Sequence, residues 1–151
     1  MNIVLLMAGA GSRFSGSKYQ KPKPLIEING KPMYKHAIES LGLPGNVIAI
    51  TRFNHEYDNY FVVKTDKVLD GPAVSALLAK EYINNNEELI IMNSDQIIKW
   101  NPLEISLAYR YDGALLLFKA QGSRWSFAKV IQGKVTEVAE KKPISTLSLI
   151  H

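Results

Sequence analysis

Asn2 to Met7, Asn-Ile-Val-Leu-Leu-Met, run without a charge into a glycine-containing turn. That pattern predicts a short strand buried on both faces, as in a parallel sheet covered by helices. The next 17 residues hold glycines, serines, lysines and two prolines, a composition that forms no regular element. A loop of that length inside a compact domain is usually functional or disordered. Leu25 to Ile28 reads as a short extended piece turned by Asn29-Gly30, and Pro32 suits the first turn of a helix running to about Leu41, stopped by Pro44 and Gly45. Asn46 to Thr51 predicts a second buried strand, His55 to Tyr60 a short helix, and Phe61 to Val63 a third strand. Beyond Asp70, Gly71 and Pro72, the residues Val74, Leu77, Leu78 and Glu81 recur at helical spacing until Asn84-Asn85-Asn86. Leu89 to Met92 predicts the fourth strand, with Asn93, Ser94 and Asp95 at its carboxyl end. Pro102 to Arg110 reads as a further helix and Ala114 to Phe118 as a further strand.

Strand and helix in alternation imply parallel pairing through right-handed crossovers, a three-layer α/β domain on a mostly parallel sheet. Ligands on such sheets gather at the carboxyl ends of the strands. The glycine turn after the first strand and Asp95 after the fourth therefore fall on one edge. Ser126 to Ile131 and Lys134 to Ala139 flank Gln132-Gly133, the signature of a hairpin at about residues 126–139. One domain over residues 1–151 is expected. Because Ile144 to His151 look packable and the chain then stops, a truncated or minimal variant is also expected.

The 46% hydrophobic content suffices for one core. A net charge of +4 is unevenly spread. Residues 1–118 carry twelve basic and twelve acidic side chains, and residues 119–151 carry six and two. Every charge in the first 25 residues is positive. Two local positive regions suit a polyanionic small ligand at least as well as a nucleic-acid backbone. The absence of cysteine removes disulfides, thiolate catalysis and cysteine-bound metal. The six-residue apolar opening is too short for a membrane span and lacks the basic region of a signal peptide, so a cytoplasmic protein with no membrane partner is expected.

Gly9, Ala10, Gly11, Ser12 and Arg13 follow the first strand, and Lys18, Lys21 and Lys23 follow them without an acid. Backbone N–H groups approach phosphate oxygens only where side chains are absent, and cations must neutralise what those groups cradle. A dinucleotide fingerprint fails, because its third glycine is missing and no helix starts before Pro24. A P-loop fails for want of Gly-Lys-Ser or Gly-Lys-Thr. Asp95 in isolation reads as a strand-end cap of the following turn.

Leu-Leu-Met-Ala-Gly-Ala-Gly-Ser-Arg-Phe, then Lys-Pro-Lys-Pro-Leu-Ile-Glu-Ile-Asn-Gly-Lys-Pro-Met, resembles the N-terminal signature of the sugar-nucleotide nucleotidyltransferases, the nucleoside-diphosphate-sugar pyrophosphorylases. The resemblance continues through Asp70-Gly71-Pro72-Ala73, Asn93-Ser94-Asp95-Gln96 and the stretch Gly133 to Pro143. It implies a Rossmann-like, GT-A-like nucleotidyltransferase fold. It also implies a reaction in which the phosphate of a sugar or small alcohol attacks the α-phosphate of a nucleoside triphosphate and releases pyrophosphate. By the resemblance, Met7, Ala8, Gly9, Ala10 and Gly11 lie along the nucleotide, Arg13 and Lys23 meet its phosphates with a catalytic role, and Gly71 lies near the base. Asp95 holds Mg2+, and Lys141 or Lys142 grips the acceptor phosphate. Complete members are longer, and a second metal-binding aspartate lies beyond the matched region. An activated sugar or headgroup for surface polysaccharide or lipid-linked assembly is the implied product.

His36, His55 and His151 match no zinc spacing and read as structural. Trp100, Trp125 and Phe127 suit core or hairpin packing better than an acceptor pocket, and Glu137 and Glu140 suit either the acceptor or a charged hairpin edge. A non-catalytic nucleotide-binding or regulatory domain is the alternative function. A nucleic-acid module using the basic C-terminal stretch is the third, and it requires affinity that falls steeply with salt. An incomplete sheet edge invites self-association into a homo-oligomer.

Overall fold

The computed structural model describes residues 1–11 and 20–149, which fall into two compact units, Met1–Pro102 and Leu103–His151. In the first, strand β1 (Asn2–Met7) is followed by a 3-10 turn at Lys23–Leu25 and the small hairpin of β2 (Glu27–Ile28) and β3 (Lys31–Pro32). Then come helix α1 (Met33–Leu41), β4 (Asn46–Thr51), β5 (Phe61–Lys64), α2 (Pro72–Leu77), α3 (Lys80–Ile83) and β6 (Leu89–Asn93). The four long strands form an all-parallel sheet in the order β5-β4-β1-β6. This is the Rossmann-like α/β core.

Alternation along β1 divides its side chains between two layers. Ile3, Leu5 and Met7 pack with Tyr34, Ala37 and Leu41 of α1, while Val4 and Ala8 pack with Ala76 and Ala79 of the α2–α3 region. Helix α1 ends where Gly42 takes the left-handed conformation (φ +65°), two residues before Pro44. The Trp100 indole N–H donates to the Leu41 carbonyl at 3.1 Å there, which places Trp100 against the core. Gly45 has a different task. A Cβ at that position would come within 2.9 Å of Ile3 Cδ1, so only glycine lets the chain enter β4 so close to β1.

Three expected elements differ. The helix after Pro72 is interrupted at Leu78 and Ala79, dividing α2 from α3. Residues 55–60 form no helix, because tertiary contacts claim the aromatic side chains: Tyr57 is buried with its hydroxyl 2.9 Å from Thr51 Oγ1. The strand expected from Ala114 is shorter, and it belongs to a separate antiparallel sheet in the second unit. That unit contains α4 (Ile105–Ala108), β7 (Leu117–Lys119), β8 (Phe127–Ile131), β9 (Lys134–Ala139) and β10 (Leu147–Leu149), in the order β7-β10-β8-β9. The β8–β9 hairpin turns at Gln132 (φ +50°) and Gly133 (φ +76°), the geometry a tight two-residue hairpin requires. Phe127 and Ser148, paired across β8 and β10, are fully buried.

Tyr34 sits at the centre of an aromatic cluster, edge-on to His55, Tyr57 and Tyr60 at centroid separations of 6.0, 5.5 and 6.1 Å. Its buried hydroxyl has no hydrogen-bond partner among the described residues. Burial, with a smaller contribution from Asp58 and then Tyr57, pushes the phenol up to about 12 from its ordinary 10.0. Between those values the folded protein keeps a proton that the unfolded chain releases, so stability is full below the unfolded value and falls as pH rises through the window. Tyr34→Phe removes the orphan donor and keeps the ring. Its expected effect at neutral pH is no loss, or a gain of about 1 kcal/mol, and a shallower fall of stability in alkali. Urea unfolding at neutral pH and at about pH 11 checks both; a clear loss at neutral pH would show that the hydroxyl is satisfied.

Candidate functional site

The carboxyl ends of β1, β4 and β6 lie side by side, and the register fixes which residues meet just beyond them. Leu6 pairs with Asn93 and Met7 with Thr51. Ala8 therefore leaves the sheet between Arg52 on one side and the Ser94-Asp95 turn on the other. Met7 and Ala8 are buried, and Gly9 and Ala10 are exposed. Gly11 takes φ +63°, a conformation that favours glycine, and a Cβ there would touch Lys23 Cβ at 3.8 Å.

Lys23 opens the 3-10 turn between Pro22 and Pro24, where the prolines preset the backbone and Leu25 N–H donates to the Pro22 carbonyl at 2.8 Å. From that fixed base its ammonium pairs with the Asp95 carboxylate, 72 residues further along the chain. Both side chains stay about 30% exposed, at 31% and 29%, so the pair faces solvent. The glycine turn, one of its expected cations and the expected metal carboxylate thus form one constellation in the first unit.

The other expected residues are placed as follows. Arg13 lies outside the described residues. Gly71 precedes Pro72 at the start of α2 with φ +140°, and a Cβ built on it meets nothing within 4 Å. Lys141 and Lys142 belong to the second unit, just after β9. Both are exposed; Lys141 has φ +53° and its ammonium lies 3.2 Å from Glu140. Glu140 also accepts from Ser126. Trp125 lies beneath the Arg124 guanidinium at 4.8 Å and edge-on to Phe118. His36 contacts the Ile28 carbonyl at 2.8 Å, and His55 belongs to the Tyr34 cluster. Of the two described histidines, each has a structural neighbour.

A participant that sequence reasoning passed over is Arg52. Its Nε donates to the Ala8 carbonyl at 2.9 Å and its Nη2 to the Gly9 carbonyl at 3.4 Å. An arginine directly after a strand that ends beside the glycine turn is a signal, but only once the strand order is known.

No group of three or more His, Cys, Asp or Glu side chains that could enclose a metal occurs among the described residues. One exposed carboxylate is nonetheless an appropriate donor for magnesium, which takes hard oxygens and completes its shell with water and substrate phosphates. Asp95 fits that mode, with the Lys23 ammonium paired to the same carboxylate.

An open parallel α/β sheet of this kind binds its ligands outside the carboxyl ends of its strands, the edge where the glycine turn, Lys23 and Asp95 meet. The family model for the MobA-like NTP transferase domain matches residues 3–137, and the chain belongs to that family of nucleotidyltransferases, which includes the sugar-nucleotide pyrophosphorylases. It is 32% identical, over its whole length, to the bifunctional protein GlmU of Methanocaldococcus jannaschii, of which it spans 38%. It is 26% identical over 93% of its length to the UTP–glucose-1-phosphate uridylyltransferase AglF of Haloferax volcanii, of which it spans 65%. Among solved structures, the nucleoside-diphosphate-sugar pyrophosphorylase of Vibrio cholerae RC9 superposes with a TM-score of 0.78 at 25% identity, covering 99% of this chain and 70% of that one. No described helix is long and apolar enough to cross a membrane.

Proposed function

We propose that this chain binds a nucleoside triphosphate at the carboxyl edge of the parallel sheet and transfers its nucleotidyl group to a sugar phosphate or a similar phosphorylated headgroup. A phosphate oxygen of the acceptor forms a bond to the α-phosphorus, the bond from that phosphorus to the bridging oxygen breaks, and pyrophosphate leaves with that oxygen. The observation that carries the reading is the Lys23–Asp95 pair beside Gly11, a cation and a carboxylate delivered to the glycine turn from distant parts of the sequence.

Phosphoryl-type transfer asks little covalent chemistry of a protein; alignment and charge neutralisation supply most of the rate. Gly9 to Gly11 offer the backbone along which the nucleotide lies, and the buried Met7 and Ala8 anchor that backbone in the sheet. Lys23 and Arg13 oppose the charge of the phosphates, arginine as a fork and lysine as a compact charge. Gly71 leaves open space at the start of α2 for the base. Asp95 would hold Mg2+, which, when bound, neutralises charge on the phosphate oxygens. Lys141 or Lys142 serves the acceptor phosphate.

Pyrophosphate release with ATP, CTP, GTP and UTP, each against a panel of sugar 1-phosphates and phosphocholine, tests the proposal. Release is expected for one triphosphate with one class of acceptor, and only with magnesium. The second reading is a nucleotide-binding domain that does not itself turn over. Binding of a triphosphate with no release for any pair would select that reading.

A further inference from the structure

We propose that Arg52 is the residue that fixes the glycine turn, holding the Gly9 and Ala10 N–H groups toward an anionic ligand while contacting only the protein. The inference rests on the nucleotide reading above and deepens it.

Two hydrogen bonds and the geometry of the peptide group carry the argument. The Arg52 guanidinium binds the carbonyls of Ala8 and Gly9 at 2.9 and 3.4 Å. In a trans peptide the carbonyl and the N–H point in opposite directions. The Ala8 carbonyl shares its peptide group with the Gly9 N–H, and the Gly9 carbonyl shares its group with the Ala10 N–H. Drawing both carbonyls to Arg52 therefore turns both N–H groups to the opposite side of the turn. Gly9 and Ala10 are exposed, and a Cβ at Gly9 would meet nothing within 4 Å, so ligand oxygens have access to that backbone. Backbone N–H groups aligned in succession are an anion receptor.

Arg52 is itself held in place. Thr51, the last residue of β4, pairs with Met7, so the next side chain emerges beside Ala8. Thr51 Oγ1 accepts from the Phe53 N–H at 3.1 Å and lies 2.9 Å from the Tyr57 hydroxyl, which fixes the turn on both sides of Arg52. The Phe53 ring lies 5.4 Å from the guanidinium carbon. A planar fork spans two carbonyls in a set geometry, whereas a lysine ammonium is a point charge without that fork. The permanent charge also polarises the two peptide groups, strengthening their N–H ends as donors.

The test uses the whole chain and two variants, Arg52→Ala and Arg52→Lys. Amide spectra of 15N-labelled protein without nucleotide are expected to show the Gly9 and Ala10 resonances displaced in Arg52→Ala and less so in Arg52→Lys. Affinity for whichever of ATP, CTP, GTP and UTP the wild type binds most tightly, titrated in EDTA, is expected to fall roughly tenfold in Arg52→Ala. Millimolar guanidinium chloride is expected to restore part of it in Arg52→Ala and none in the wild type. Unmoved Gly9 and Ala10 amides overturn the proposal, and a loss of affinity with those amides unmoved would assign Arg52 to direct ligand contact instead. If Arg52→Ala does not fold, Arg52→Lys supplies the same readouts. A wild type that binds none of the four triphosphates defeats the nucleotide reading, while displaced amides in the variant would still support the fixing role.

Discussion

Asp95→Asn is expected to abolish magnesium-dependent pyrophosphate release, a fall on the order of a thousandfold, because a metal clamp on transferring phosphate contributes several kcal/mol. The amide keeps the shape of the carboxylate and loses the charge that both a magnesium ion and Lys23 require. Stability should hardly change. The pair is solvent-facing, and such pairs contribute about 0–1 kcal/mol. Release assays at saturating triphosphate, run beside thermal melts of the same preparations, separate the two effects. Full activity in Asp95→Asn would remove Asp95 from the metal site; lost activity with a melting temperature lowered by many degrees would make it a structural residue.

Lys23→Met is expected to move two affinities in opposite directions. Its ammonium opposes the triphosphate in the proposed complex, and losing a charge-assisted contact of about 1.5–3 kcal/mol weakens nucleotide binding roughly 10- to 100-fold. Without nucleotide the same ammonium sits on the Asp95 carboxylate, where it competes with a divalent cation. A solvent-facing ion pair contributes at most about 1 kcal/mol, so Mn2+ should bind nucleotide-free Lys23→Met up to about fivefold more tightly than wild type. Electron paramagnetic resonance of free Mn2+ measures the second effect and isothermal titration the first. A merely structural lysine would shift both affinities downward or neither.

The chain itself disclosed its parallel core through local pattern. The apolar runs of β1 and β4 are continuous because both of their faces are covered, whereas edge strand β6 leaves Leu89 and Ile91 exposed; Gly9, Arg52 and Ser94-Asp95 follow where the apolar runs end. The glycine turn at Gly9 and Gly11 and the cation at Lys23 were readable because absent side chains and clustered charge are local facts, and the structure brings Gly11 and Lys23 together. The hairpin at Gln132-Gly133 was readable for the same reason. The run from His55 to Tyr60 misleads because its aromatic spacing suits a helix, yet Tyr57 is drawn inward by Thr51 and Tyr34. The strand near Phe118 was recognisable as a strand, but nothing within it shows that β10 pairs beside it and that both belong to an antiparallel sheet.

Sequence alone thus determined most of the strands and helices and the parallel α/β class. Tertiary structure decided the partners. The Met7–Thr51 and Leu6–Asn93 registers set Arg52 against the Ala8 and Gly9 carbonyls and brought Asp95 to the Lys23 ammonium across 72 positions. The reason is that strand and turn formation follow from each residue's own backbone and side-chain preferences. Pairing across a sheet follows from the burial of both its faces at once, and no segment contains that information separately.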